Sequence, residues 1–211
     1  NTLDAMVLSH AHIDHVGRLP LLVRNGYHGP IYATPASRDL AAVMLPDAAH
    51  IQESDAAHLA RHGRSGPQSE PLYNMADAIA VQDLIVGLPY RRIHYLRKNL
   101  AFEYTDAGHI LGSASVDLRL TESGNHRIVF SGDIGRWGLP IIRDPNPPTG
   151  PVDTLIIEST YGNRRHDDAA ALARFVDVIV RTAERRGAIV IPAFAVDRTE
   201  VMLLTLRRLV Q

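Results

Sequence analysis

Cysteine is absent from all 211 residues. That excludes disulfides and any thiolate-ligated metal, so a bound cation would have to be held by histidine and carboxylate. No apolar run approaches the roughly 20 residues of a membrane span, and no charged-then-apolar signal segment opens the chain. The chain therefore reads as cytoplasmic, with no membrane partner. A basic excess is missing too: 22 lysines and arginines face 23 acids, for a net charge of -1. This is not the balance that marks a nucleic-acid-binding surface, and the pairs Arg91-Arg92, Arg97-Lys98, Arg185-Arg186 and Arg207-Arg208 read as solvated faces. Repeats and low-complexity tracts are lacking. So is a stop signal after the last helical pattern, and Asn1 stands only a few residues before a core strand; both ends read as cut from a longer chain.

What is present is histidine, 11 residues of it, in a chain whose 45% hydrophobic content suffices for a buried core. The length suits one domain, or one domain plus part of another. Leu3–Ser9 reads as a buried strand, followed by helix to Asn25-Gly26 and a short strand at Ile31-Tyr32-Ala33. Thr34-Pro35 reads as the cap and first residue of a helix with Leu40, Val43, Met44 and Leu45 inside, broken or kinked at Pro46. The stretch from Gly63 to Ser69 reads as a loop. Asn74 caps a helix whose Met75, Ile79 and Leu84 point to the core, ending near Gly87 and Pro89. Strands follow around His94–Leu96, Ala101–Thr105 and Ser115–Leu120, and a turn over Thr121–His126 closes a hairpin into Arg127–Phe130. Asp144–Pro148 is a rigid loop and Leu155-Ile156-Ile157 a buried strand. Asp167 or Asp168 starts a helix with Leu172, Phe175, Ile179 and Ala183 on one face, stopped by Gly187. Ala188–Pro192 is a strand, and Asp197 with Glu200 opens the last helix as a capping box. Mixed strands and helices make a layered α/β domain.

The chemistry concentrates in His10-Ala11-His12-Ile13-Asp14-His15, directly behind an apolar run. Imidazole nitrogen and carboxylate oxygen are the ligands zinc takes in catalytic sites. If His10 and His12 finish a strand, their spacing turns both to one side, and Asp14 and His15 then round the corner. Two ligand pairs so close can serve two neighbouring metals. His109 lies between Gly108 and Gly112, Asp133 lies in Ser131-Gly132-Asp133-Ile134-Gly135 behind a strand, and Glu158 ends another strand ahead of Ser159-Thr160-Tyr161-Gly162. Each is ambiguous alone: a loop histidine, a turn aspartate, a strand-end glutamate. His58 and His62 share a helical face but lack a partner motif, and read as surface residues.

Together these positions resemble the metallo-β-lactamase superfamily in its β-CASP ribonuclease branch, the bacterial and archaeal relatives of the cleavage and polyadenylation endonuclease. HAHIDH is similar to the superfamily's H-x-H-x-D-H, GHILGSA to its next histidine motif and SGDIG to its bridging-aspartate motif. ESTYG resembles the first β-CASP motif, and Ile191–Val196 the β-CASP strand that follows. Asp197 departs from the pattern, which more often has Gly or Glu there.

The resemblance implies an αββα sandwich, incomplete at both ends, over residues 1–162, and the beginning of a β-CASP domain over 163–211. It implies two zinc ions, with manganese as the alternative: His10, His12 and His109 on one, Asp14 and His15 on the other, Asp133 between them. Asp14 and Glu158 are the catalytic candidates, Glu158 helping to position or feed a general acid. A further ligand histidine and the β-CASP histidine have no match, so the second site is expected to be incomplete in this stretch. The implied reaction is phosphodiester hydrolysis on single-stranded RNA by an in-line displacement between two cations, with a homodimer as a further expected partner. Alternatives are a DNA nuclease or a small-molecule ester or thioester hydrolase of the same superfamily, and a non-catalytic RNA-processing scaffold.

Overall fold

The structure, a computed structural model, describes residues 3–210 apart from 65, 67, 68, 123, 166 and 167. Asp167 as a helix start, Ser123 of the expected hairpin turn, three residues of the Gly63–Ser69 loop and both terminal residues lie outside the described set. Two compact units divide the chain, Asn1–Glu158 and Ser159–Gln211. Among the described residues no helix is long and apolar enough to cross a membrane.

The first unit holds two sheets. In one, β1 (Met6–Val7), β2 (Ile31–Ala33) and β3 (Ile85–Gly87) run parallel in that order. Parallel neighbours need crossover connections. Here α1 (Ile13–Val16) and α2 (Leu19–Arg24) join β1 to β2, while α3 (Pro35–Arg61) and α4 (Met75–Ala80) join β2 to β3. Alternation along β2 sorts the layers: Ile31 and Ala33 are buried in a core shared with α1–α4, containing Val16, Leu19, Leu45 and Val81. Tyr32 turns the other way, against Phe102 of the second sheet, and its carbonyl accepts a hydrogen bond from Tyr104 Oη at 2.9 Å. That sheet is β4 (Ile93–Arg97), β5 (Leu100–Asp106), β6 (Ala114–Leu120), β7 (His126–Phe130) and β8 (Thr154–Ile156), in sequence order. Only β7 and β8 pair in parallel. Phe102, Tyr104, Ala114 and Val116 form the core between the sheets together with Val7 and Tyr32.

Several expected elements come out differently. The first strand is shorter than Leu3–Ser9, because only Met6 and Val7 pair with the three-residue β2; Leu3 is exposed. Pro46 neither breaks nor ends α3. The carbonyl it leaves without a donor belongs to exposed Ala42, where water can serve, and buried Ala41, Leu45 and Ala49 hold the helix on either side. Val43 and Ile79, expected inside, are exposed. The helix expected to run to Gly87 stops at Ala80, passes through a 3₁₀ turn at Gln82–Leu84 and yields β3, since Ile85–Gly87 completes the parallel sheet. β8 is exposed at Leu155 and Ile156, as is Ile157 behind it, so this expected buried strand is a paired but uncovered one among the described residues.

In the second unit α5 (Asp168–Glu184) and α6 (Arg198–Val210) form as expected, though Leu172 and Ala183 of the supposed inner face are exposed. Ala188–Pro192 is not a hydrogen-bonded strand, for no described segment pairs with it. Asp197, the expected cap of α6, adopts φ 74°, and its carbonyl accepts from Val201 N at 3.0 Å.

Candidate metal centre

β5, β7 and β8 point the same way, because β5 and β7 each pair antiparallel with β6 and β8 pairs parallel with β7. Their C-terminal ends therefore lie along one edge, and each carries a singled-out residue within a few positions: His109, Asp133 and Glu158. The segment leaving β1 brings His10 and His12 to the same place. It stays extended to His12 (φ −61°, ψ 148°), the N-cap residue of α1, whose first turn holds Asp14 and His15. Function thus rests on loops held by a rigid scaffold.

The side chains converge. His12 Nδ1 stands 3.1 Å from His10 Nε2 and 3.1 Å from His109 Nε2. Asp133 Oδ2 lies 3.7 Å from His10 Nε2 and 3.5 Å from His109 Nε2, while its Oδ1 lies 3.4 Å from His15 Nε2. Asp14 Oδ2 is 3.6 Å from His15 Nε2. Donor atoms of a tetrahedron with arms of roughly 2.0–2.1 Å stand about 3.3 Å apart. In the set of His10, His12, His109 and Asp133, four of the six donor pairs stand at 3.1–3.7 Å, near that spacing, and all the donors lie within 4.8 Å of one another; among the described residues it is the one group of ligating side chains gathered so closely. One proton on His12 cannot serve both of its imidazole neighbours; a cation among the nitrogens can.

The electrostatics favour lone pairs over protons. His10 is fully buried. Burial first, then the charges that His15, His109 and His12 would carry, pushes it down to about 2. Burial and His109 lower His12 as well, against the pull of Asp14 and Asp133. Neutral imidazoles at physiological pH are the form that binds metal.

The His109 turn is held from several sides. Ser113 Oγ accepts from the His109 and Ile110 amides at 2.9 and 3.2 Å, and Asp106 Oδ1 accepts from Gly108 N at 2.9 Å. The Gly112 carbonyl accepts from Thr34 Oγ1 at 2.6 Å and Ser37 Oγ at 2.9 Å, at the start of α3. The glycines on either side allow close packing: a Cβ at Gly108 would come within 2.6 Å of Pro145, and one at Gly112 within 2.6 Å of Ser37 N. Glu158 is tied to the Asp133 loop, its amide donating to Ser131 Oγ at 3.0 Å and its carboxylate accepting from Ile134 N. It lines a cleft of about 560 Å³ with His15, Asp133 and the apolar side chains of Val116, Leu118 and Phe130.

All seven singled-out residues are thus brought to one edge of the first unit. His58 and His62 are not part of it; they face each other at the C-terminal end of α3, where His62 is the cap residue, with ring centroids 4.3 Å apart. The hydroxyls of Ser9, Ser37, Ser113 and Ser131 were not singled out in the sequence, and Thr34 was read there only as a helix cap. Their advance signals are a place within a quoted motif, for Ser113 and Ser131, and adjacency to one, for Ser9.

Two facing sheets with helices on one, and a histidine–carboxylate cluster at the strand ends, define a protein of metallo-β-lactamase type. Comparison with known proteins agrees: the profile described as metallo-beta-lactamase superfamily matches residues 1–86. Residues 1–86 thus carry a domain of that superfamily, and the chain is similar to longer relatives over nearly all of its own length. It is 34% identical over 208 residues to "Transcription termination factor FttA" of Pyrococcus abyssi, covering 97% of this chain and 30% of that protein. It is 34% identical over 207 residues to "Ribonuclease TTHA0252" of Thermus thermophilus, 97% of this chain and 43% of the relative. "Probable RNase MJ4" of Methanocaldococcus jannaschii is 33% identical over 207 residues, 97% and 45%. The chain spans less than half the length of each of these three relatives. Members of the superfamily bind divalent metal, and the donor set here fits such an ion.

Proposed function

We propose that the protein is a metal-dependent ribonuclease of β-CASP type that cleaves single-stranded RNA in the cytoplasm. The observation that carries this is the division of Asp133: one carboxylate oxygen faces His10 and His109, the other faces His15. A carboxylate so placed is suited to bridge two cations. His10, His12 and His109 would hold one and Asp14 with His15 the other, zinc by ligand type and manganese as the alternative. A bound pair of this kind supplies an activated water and stabilises the attacking and leaving oxygens of a phosphodiester.

The chain's own residues do the rest. Buried His10 keeps one lone pair fixed behind the centre, while exposed Asp14 lies on the open side. Glu158 anchors the Asp133 loop through Ile134 and lines the adjoining cleft, where it would help to position or feed a general acid. Names of the relatives favour RNA over DNA or a small ester, two of the three being called RNases.

The test is cleavage of single-stranded RNA by the full-length protein, with His12→Ala and Asp133→Asn compared to wild type. Each should lose at least about 10²-fold in rate, the scale of losing one electrostatic element of a catalytic centre. Activity retained in both variants would sink the proposal.

A further inference from the structure

We propose that Ser9 couples the two halves of the metal centre, its hydroxyl accepting a hydrogen bond from the Nδ1–H of both His10 and His15. Ser9 Oγ lies 3.1 Å from His10 Nδ1 and 3.5 Å from His15 Nδ1. Both rings turn their opposite nitrogen, Nε2, toward Asp133, but toward different oxygens: His10 to Oδ2 at 3.7 Å, His15 to Oδ1 at 3.4 Å. The two imidazoles lie with centroids 4.0 Å apart, Asp133 in front of them and Ser9 behind.

A hydroxyl has two lone pairs, so one oxygen can receive both ring protons. Receiving them fixes the tautomer: Nδ1 carries hydrogen and Nε2 is left as the ligating lone pair. Ser9 is itself held, its carbonyl accepting from Ala114 N at 2.8 Å. Its Cβ packs on Gly132, where a side chain would come within 2.8 Å. The hydroxyl is therefore anchored to the segment that carries Asp133. With a methyl in its place, the His10 N–H would be buried without an acceptor and the ring would be free to present the wrong nitrogen. Since His10 belongs to one ligand set and His15 to the other, the loss falls on both cations at once. A ligand substitution in a single set would not do this.

The inference rests on the two-cation reading, and the experiment separates the two. Metal-free full-length protein is titrated with Co²⁺, a divalent ion of similar ligand preference, following visible absorption and the stepwise binding constants. Thermal unfolding of the metal-free forms is recorded alongside. Ser9→Ala should weaken both constants, each by roughly 10–100-fold, and alter the absorption band, while the metal-free melting temperature stays close to wild type. Ser9→Thr, which keeps the hydroxyl, should recover both. Unchanged constants in Ser9→Ala overturn the inference, as does a loss confined to one constant or an equal loss in Ser9→Thr. Wild-type protein that takes up fewer than two Co²⁺ ions rejects instead the two-cation reading beneath it.

Discussion

At the scale of single residues the centre depends on groups that are not ligands. Gly112 is an example: at φ 83° it occupies a conformation that side chains resist, and its would-be Cβ meets the backbone of Ser37 and the Thr34 hydroxyl. Neither neighbour can yield, one being a main-chain nitrogen and the other a buried cap. Gly112→Ala should therefore cost roughly 2–4 kcal/mol, combining left-handed strain with a backbone clash. Because the displaced segment carries His109, metal affinity should fall with stability. Urea denaturation with and without Zn²⁺ measures both, and an alanine variant matching wild type in each would show that the turn has slack. The ligands themselves were legible in the sequence, since HAHIDH concentrates them within six positions. Thr34 and Ser37 were not, because their partner Gly112 lies 78 and 75 positions away and no local pattern announces such a contact.

Elements show the same division between what is local and what is not. The start of α3 was legible because its determinants are neighbours: Thr34 accepts from Ser37 N at 3.2 Å and Pro35 occupies the first turn. The passage of α3 through Pro46 was not, because it depends on which side of the helix meets the core. β3 was hidden for a related reason. Three residues carry no period of their own, and only pairing with β2 makes Ile85–Gly87 a strand. The exposure of β8 could not be read either, since an apolar triplet states a preference for burial and not the presence of a covering layer. The Thr34 cap offers the test at this scale. Its hydroxyl is buried and serves α3 and the Gly112 carbonyl together, so Thr34→Ala should lower stability by about 2 kcal/mol. In a unit of this size that corresponds to roughly 4–8 °C of melting temperature. Thr34→Ser should recover most of it, and a melting temperature unmoved by alanine would mean the cap is dispensable.

For the first unit as a whole, the outer face of the second sheet is tied by one buried carboxylate. Asp117 on β6 is 2% exposed. It accepts from Arg127 Nε and Nη2 on β7 at 2.9 and 2.8 Å, and from Arg119 Nη2 at 3.1 Å. Arg119 reaches on to Glu103 of β5 at 2.9 Å, and Arg127 Nη1 donates to the Thr149 and Pro151 carbonyls ahead of β8. Three strands and the connection to a fourth thus meet at one charge network, at the opposite end of β7 from Asp133. Burial alone would raise the Asp117 pKa; hydrogen bonds and charge from Arg127 and Arg119 outweigh it and hold the carboxyl below its ordinary value. The sign of the pH dependence follows. On acidification the unfolded chain takes up the proton first, near its ordinary pKa of about 3.9. The stabilisation is therefore complete above that value and is lost as pH falls from it through the lower folded value. Asp117→Asn should cost roughly 2–4 kcal/mol at neutral pH. That is somewhat less than removing one partner of a fully enclosed pair, since Arg119 is partly solvated. The variant's stability should also fall less steeply below pH 4. His10 and the other acid-sensitive groups are common to both proteins, so the difference between their urea midpoints at pH 7, 5, 4 and 3 isolates Asp117. Equal midpoints at pH 7 and equal slopes below pH 4 would mean the sheet holds without this network.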